Sequence, residues 1–179
     1  MADIAFNRNR NTNTLQTFTK TYSVAFLTDA QINQKYGTAG NPDNFTIIAL
    51  PYSMRIAWDT KLRVQKMQCH ELAADSFTNV FNQLLQHYGL PELQRLGIDL
   101  FGGCVNVRTM RGSKTRWSRH AWGIAIDLDP ARNGLKLKWH QSQFALPQYE
   151  AMHTIFEKNG FLNYGKVKGF DAMHFELVK

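Results

Sequence analysis

SRHAWGIAIDLD, residues 118–129, joins a polar cluster to a short apolar run that ends in two carboxylates. The apolar run from Gly123 to Leu128 predicts a short strand. Side chains alternate along a strand, so His120 and Asp127, an odd number of residues apart, would point to opposite faces. A bend at Gly123 would bring both to one side. The stretch therefore fits either a buried strand with solvated ends or a segment that presents two interacting side chains.

The last ten residues, FDAMHFELVK, contain side chains that can complete such a site. Residues 174–178 alternate as a strand does, which places His174 and Glu176 on one face. Asp171 has the opposite parity to His174. A turn at residues 170–172 would bring its carboxylate to the same side as the imidazole.

With both bends, His120, Asp127 and His174 can offer two nitrogens and one oxygen to a metal. Three protein ligands and a fourth position for water are the pattern of a catalytic zinc site. A water of lowered pKa needs a base, for which Asp171 is the candidate. Arg108 is the candidate cation that offsets negative charge in the transition state. The sequence thus predicts a zinc centre that performs hydrolysis.

Helices early and late in the chain flank the predicted strands. Residues 69–88 have the apolar spacing of an amphipathic helix that stops at Gly89, and residues 147–158 form a second helix. Three short strands are predicted at 103–108, 123–128 and 174–178. Helices within residues 44–63 are possible but poorly patterned, and no site is expected there. We expect an α+β fold, a single compact domain whose small antiparallel sheet carries the zinc site between flanking helices.

The composition of the 179-residue chain indicates one domain with a core, since 44% of the residues are hydrophobic. Residues 1–20 are expected to form a polar N-terminal arm with the capacity to be flexible. The formal net charge of +7 favours an anionic partner. It suits nucleic acid, anionic lipid or an acidic wall polymer equally well.

No apolar window is long enough for a membrane span, and the N-terminus lacks the features of a secretory signal. We therefore expect a monomer that is made in a cytoplasm. Cys69 and Cys104 have no metal-binding spacing and are expected to be buried thiols.

These motifs resemble those of the zinc peptidases that include the VanY-type D-Ala-D-Ala carboxypeptidases and the phage L-alanyl-D-glutamate endopeptidases. The family pattern, S-x-H-x6-D and a later acid-x-x-H, is matched by Ser118, His120, Asp127, Asp171 and His174. The resemblance implies zinc ligation by the two histidines and Asp127, and polarisation of the scissile carbonyl by Arg108. An aspartate at position 171 and the HFE ending resemble the phage endolysin branch more closely. The motifs lie in about residues 96–179, within a single zinc peptidase domain expected over residues 21–179.

The resemblance implies hydrolysis of the peptidoglycan stem peptide, at the L-alanyl-D-glutamate bond, by a phage lysis enzyme. Such an enzyme would act on the cell wall after release from the host cytoplasm. One alternative keeps the chemistry and makes the protein a D-Ala-D-Ala carboxypeptidase. Another is a non-catalytic phage structural protein that grips the wall. No specific nucleic-acid partner is expected.

Several residues near the motifs have two interpretations each. Ser118 can orient substrate or cap a turn, and Glu176 can hydrogen-bond a ligand imidazole or face solvent. Asp129 can bind a second cation or cap the turn before Pro130, and the turn is the expected role. A basic loop in solvent, which would meet an anionic substrate, is predicted for Arg111, Lys114, Arg116 and Arg119.

The remaining histidines and the tryptophans near the motifs are expected to be structural. His70 and His87 lie on the predicted first helix without a paired ligand, so they are expected at the surface or at a helix cap. Trp122 is expected in the core, and Trp117 either there or in the lining of a groove.

Overall fold

The computed structural model describes residues 25–179, so the arm predicted for residues 1–20 lies outside the described residues. Six strands form one sheet: β1 (Phe45–Ile56), β2 (Asp59–His70), β3 (Leu100–Gly103), β4 (Ala125–Leu128), β5 (Phe161–Asn163) and β6 (His174–Leu177). Five α-helices surround it: α1 (Asp29–Tyr36), α2 (Ala74–Leu96), α3 (Pro130–Asn133), α4 (Glu150–Lys158) and α5 (Tyr164–Lys168). The predicted α+β class is confirmed. None of the helices in the described part is long and apolar enough to cross a membrane.

The strand order in the sheet is β2-β1-β3-β4-β6-β5. Only β1 and β3 pair in parallel, and every other neighbouring pair is antiparallel. In the pairing of β4 with β6, Asp127 lies directly opposite His174. Opposed residues on antiparallel strands have Cβ atoms about 4.5–5.5 Å apart. The register alone therefore makes these two side chains neighbours.

The prediction of possible helices within residues 44–63 was wrong, because this region belongs to a long hairpin of β1 and β2. Its first strand shows the strand period in its burial, since every second residue from Ile48 to Ile56 is buried. Pro51 occupies one of the exposed positions of this pattern. It lies where the register shifts between Ala49 and Met54, and a bulge is a place where a strand tolerates proline.

The first predicted helix begins later and ends later than expected. Cys69 and His70 belong to β2, whose pairing with β1 continues to the His70–Phe45 pair. Gly89 does break the helical geometry, with φ 70° and ψ 158°, but α2 resumes after this kink and ends at Leu96. The second predicted helix is confirmed as a 3-10 turn at Pro147–Tyr149 that leads into α4.

The predicted strand at 103–108 was wrong for all but its first residue, since β3 ends at Gly103. The chain beyond leaves the sheet and lies against the turn that contains His120. Asn106 N donates to His120 O, and Cys104 O faces the His120 ring. The strand predicted at 123–128 is confirmed from Ala125 onward, and the one at 174–178 is confirmed up to Leu177.

The core lies between the sheet and helices α2 and α4. Phe175 of β6 stacks on Phe156 of α4 with ring centroids 4.0 Å apart, and Phe77 of α2 lies 4.7 Å from Phe161 of β5. Both cysteines are buried free thiols, as predicted. Ile126 on β4 is fully buried. The strand that carries Asp127 is thus held from the side away from that carboxylate.

Gly123 allows the chain to turn between His120 and β4. Its φ of 67° is left-handed, and a Cβ there would stand 2.7 Å from the backbone nitrogen of His70. We expect Gly123→Ala to lower the free energy of unfolding, measured by urea denaturation, through both strain and this clash. Gly112→Ala is the matched control, since Gly112 has a φ of 82° and open space around its Cβ position. Left-handed strain alone costs about 1–2 kcal/mol, and both variants experience it. If Gly123→Ala lowers the free energy of unfolding no more than Gly112→Ala does, the predicted clash is wrong.

Candidate metal centre

Three side chains from different parts of the chain converge at one end of the sheet. Asp127 Oδ1 lies 3.2 Å from His120 Nε2 and 3.0 Å from His174 Nδ1. The ligand atoms of all three residues lie within 4.8 Å of one another. Around a tetrahedral zinc, ligands at about 2.05 Å are separated by about 3.3 Å, so these spacings suit that ion. Among the described residues, this is the one such group of histidine, cysteine and carboxylate side chains.

The turn at Arg119–Trp122 and the bend at Gly123 place His120. This turn is a 3-10 helix whose end cap is Gly123, in the left-handed conformation. His120 Nδ1 lies 2.7 Å from the carbonyl oxygen of Cys104. A carbonyl only accepts hydrogen bonds, so Nδ1 carries the proton and Nε2 of the neutral ring presents a lone pair. The left-handed Gly123 provides the bend that was predicted from the parity of His120 and Asp127.

This lone pair faces a carboxylate oxygen, which is also an acceptor. Two acceptors 3.2 Å apart need either an additional proton or a cation between them. A divalent metal meets that need for both histidines at once, and a backbone carbonyl on the far nitrogen is the usual support of a histidine ligand. The side chains present thus fit the zinc ion that the sequence predicted.

The charges around His174 also favour a cation. Burial alone would lower the pKa of His174, but the Asp127 and Glu176 carboxylates outweigh it and raise this pKa to about 10. Burial alone would raise the pKa of Asp127, yet the two histidines hold it well below its usual range. Both shifts express the same attraction between the Asp127 carboxylate and positive charge on the neighbouring imidazoles, so positive charge is stabilised at this point.

Asp171 lies in a turn before β6, as predicted from the opposite parity of Asp171 and His174 in the sequence. Its φ of 64° is left-handed, and its carboxylate lines the same cleft as the three ligands. One carboxylate oxygen, Oδ1, is buried without a hydrogen-bond partner. Burial raises the pKa of Asp171, as does the nearby charge of Asp127, while His174, His120 and Arg111 oppose the rise. A buried oxygen without a donor is a position where water or substrate can supply one.

Arg108 and Ser118 adjoin the site through one backbone hydrogen bond. Ser118 N donates to Arg108 O at 3.1 Å, and the Thr109–Trp117 bridge closes the basic loop beyond them. The Arg108 guanidinium donates to Thr109 O and lines the cleft. Ser118 is buried and precedes the 3-10 turn, but its side chain makes no capping hydrogen bond.

Glu176 is buried and does not face solvent. Its Oε2 lies 3.6 Å from His174 Nε2, which is an electrostatic contact longer than a hydrogen bond. Its Oε1 accepts a hydrogen bond from Arg119 Nε at 3.0 Å. The second nitrogen of His174 therefore also faces a carboxylate.

Arg119 was misassigned from the sequence to the solvated basic loop. Only 13% of its side chain is exposed, because it reaches across to Glu176 and to Asp29. The pattern S-R-H offers no periodicity from which this inward orientation could be derived. Its partner segment, Phe26–Asp29, also lines the cleft and carries no motif at all.

The other expected structural residues divide between core and surface. His70 was expected at the surface or at a helix cap, and the expectation of a cap is confirmed. His70 is buried, and its Nδ1 accepts a hydrogen bond from Leu72 N. His87 and His140 are exposed, whereas His153 is buried against Phe144 O. Trp122 is buried in the core, and Trp117 is 39% exposed.

Asp129 is buried in the turn before α3, as predicted. Its φ of 45° is left-handed, and its Oδ2 accepts from Arg132 Nε at 2.6 Å.

The cleft around His120, Asp127 and His174 has a volume of about 680 Å³. Cations line it at Arg108, Arg111, Arg116 and Lys168. In the described part of the chain, none of these four side chains forms an ion pair with a carboxylate. Apolar side chains, including Phe26, Leu27, Tyr164 and Phe170, complete the lining. This lining suits an extended ligand with both apolar and anionic groups.

We expect zinc to stabilise the protein and His120→Ala to abolish this effect. A ligand that binds only the folded state at 100 times its Kd adds about 2.7 kcal/mol to the free energy of unfolding. Thermal unfolding with and without zinc measures the shift. His140→Ala, at an exposed histidine outside the cleft, is the control that should keep it. An undiminished shift in His120→Ala would contradict ligation by this residue.

Comparison with known proteins finds a match to a family model. Residues 111–177 match the family model described as D-alanyl-D-alanine carboxypeptidase, of peptidase family M15. No curated protein and no solved structure matches the chain significantly. The matched segment is less than half of the chain, but it contains all three candidate ligands and Asp171, and leaves out Arg108. It supports the peptidase family that the motifs resemble and does not distinguish between that family's branches.

Proposed function

We propose that this protein is a zinc-dependent peptidase that hydrolyses the stem peptide of peptidoglycan. The observation that carries the proposal is the convergence of His120, Asp127 and His174 beside an unpartnered, buried carboxylate oxygen of Asp171. Three ligands plus an adjacent base are the components of a hydrolytic zinc site. The family match over residues 111–177 agrees with this chemistry.

Zinc, when bound, supplies a Lewis acid that polarises the scissile carbonyl and lowers the pKa of water. His120, Asp127 and His174 hold it, and Cys104 O fixes the orientation of the His120 ring. Asp171 takes the proton from the attacking water. It then returns this proton to the leaving amine, because a carboxylate protonated in the first step can act as the general acid of the second.

Arg108 offsets the negative charge that develops on the carbonyl oxygen. Its guanidinium lines the cleft and has no carboxylate partner in the described part of the chain, so its positive charge is available to the substrate. A fixed cation at such a position acts more strongly on the transition state than on the neutral ground state.

The substrate class follows from the lining of the cleft. Stem peptides carry free carboxylates beside small apolar side chains, and the cleft presents Arg111, Arg116 and Lys168 beside apolar residues. The charges of the cleft and of the substrate are thus complementary.

For the bond itself we propose L-alanyl-D-glutamate. Its support is the sequence resemblance, since Asp171 stands where the carboxypeptidase branch usually carries glutamate. The same resemblance supports a role as a phage lysis enzyme that reaches the wall from the host cytoplasm. A D-Ala-D-Ala carboxypeptidase is the second candidate, because the matching family is that of the D-alanyl-D-alanine carboxypeptidases.

Digestion of purified peptidoglycan, followed by mass spectrometry of the products, tests the bond. An L-alanyl-D-glutamate endopeptidase exposes the amino group of D-glutamate and leaves L-alanine on the glycan. Removal of only the terminal D-alanine would establish the carboxypeptidase instead. Unchanged muropeptides with the zinc-loaded protein would sink both candidates. The His120→Ala variant is the control for contaminating hydrolases.

We expect Asp171→Asn to keep its zinc and lose turnover. The amide cannot accept the proton of the water, and general base catalysis contributes about 10²–10⁴-fold to a rate. Metal analysis and kcat on a stem peptide are the two measurements. Asp43→Asn is the matched control, since Asp43 is exposed and outside the cleft. A fully active Asp171→Asn protein would show that another group is the base.

A further inference from the structure

We infer that Arg119 is a positioning residue that ties one wall of the cleft to the metal ligand His174. The wall is the segment Phe26–Asp29, which we call the N-terminal wall. The link runs from this wall through Arg119 to Glu176, and from Glu176 to His174. The inference rests on the proposed zinc site and names two further functional parts of it.

Arg119 uses three guanidinium nitrogens on three acceptors. Nε donates to Glu176 Oε1 at 3.0 Å, Nη1 to Asp29 Oδ1 at 2.7 Å, and Nη2 to Leu27 O at 3.1 Å. The planar fork of arginine matches such a set, which the single ammonium of lysine cannot reproduce. The guanidinium also lies over Trp122, 5.7 Å from the ring. These four contacts together fix the orientation of the Arg119 guanidinium.

The contact of Arg119 with Glu176 affects the metal ligand. Glu176 is only 3% exposed, so its charge needs a partner, and Arg119 is the guanidinium that contacts it. With one oxygen held by Arg119, the other lies 3.6 Å from His174 Nε2. Carboxylates behind a histidine ligand orient the ring and raise its basicity, and their loss costs about 10–100-fold in metal affinity.

The contact with Asp29 and Leu27 affects the wall. Residues 25–28 precede α1 without regular structure, so side-chain contacts must hold them in place. Thr28 caps α1, and Phe26 packs on Tyr164 with ring centroids 5.1 Å apart. Arg119 adds two hydrogen bonds to the same short segment. The wall is thus anchored on the residue that precedes His120 in the chain, and bound substrate would contact it.

Separate variants test the two branches of this link. The wall branch runs from Arg119 to Asp29 and Leu27, and the metal branch runs from Arg119 through Glu176 to His174. Asp29→Ala removes the ion pair of the wall branch and leaves only the hydrogen bond to Leu27 O, so we expect a KM raised about tenfold with an unchanged Kd for zinc. It should also give faster amide hydrogen exchange in residues 25–29. Glu176→Gln removes the metal branch, so we expect a Kd for zinc raised about 10–100-fold and unchanged exchange in the wall. Arg119→Gln should produce both effects, and Arg119→Lys should fail to restore both.

Matched controls remove the general effects of charge loss. Asp75→Ala also deletes an acid from the first turn of a helix, α2, and Arg95→Gln deletes an arginine from an exposed ion pair with Glu92. Neither should alter KM, zinc affinity or exchange in residues 25–29. If Glu176→Gln does not fold, Asp29→Ala, at a residue whose side chain is 44% exposed, still tests the wall branch.

The outcomes separate this inference from the proposed function. Arg119→Gln with wild-type zinc affinity and wild-type exchange in residues 25–29 would overturn the inference even in an active peptidase. A Kd change in Asp29→Ala equal to that in Glu176→Gln would also overturn it, because the branches would not be separate. A wild-type protein that cleaves no stem peptide would refute the function, while the exchange and zinc measurements would still decide the role of Arg119.

Discussion

The site depends first on the register of two short antiparallel strands. Because Asp127 of β4 pairs directly with His174 of β6, the carboxylate and the imidazole meet without any long side chain having to reach across. A slip of either strand by one residue would turn its side chain to the opposite face of the sheet, away from its partner. Ile126 and Phe175, fully buried on the other face, oppose such a shift, since it would move them out of the core.

The second constraint is the negative charge of the carboxylates around the site, which requires positive charge close to it. Asp127, Glu176 and Asp171 all line the cleft; Glu176 is buried, and the two aspartates are partly buried. Arg119 neutralises one side of this group, and on the other side the histidines and Asp127 form the candidate metal centre. The arginine that appeared to be a surface charge is therefore as much a part of the site's electrostatics as the ligands themselves.

The cleft is assembled from parts that are distant in sequence. The N-terminal wall, the basic loop and the turn before β6 each contribute lining residues, while the sheet contributes ligands. This division is common in enzymes, where a rigid scaffold carries the reacting groups and loops carry substrate contacts. It also explains why the family match, at residues 111–177, contains the ligands but not the whole lining.

The sequence by itself determined the α+β class, both major helices and the candidate ligands, because ligand types and the parity of strands are local properties. It also required the two bends, which Gly123 and Asp171 provide with left-handed φ angles. The hairpin of β1 and β2 was missed although its alternation is readable, because Pro51 and Gln- and Lys-rich surface positions obscured the period. Only the tertiary structure decided where Arg119 points and what Phe26–Asp29 adjoins. The physical reason is that both depend on hydrogen bonds between residues about ninety positions apart, on which local pattern carries no information.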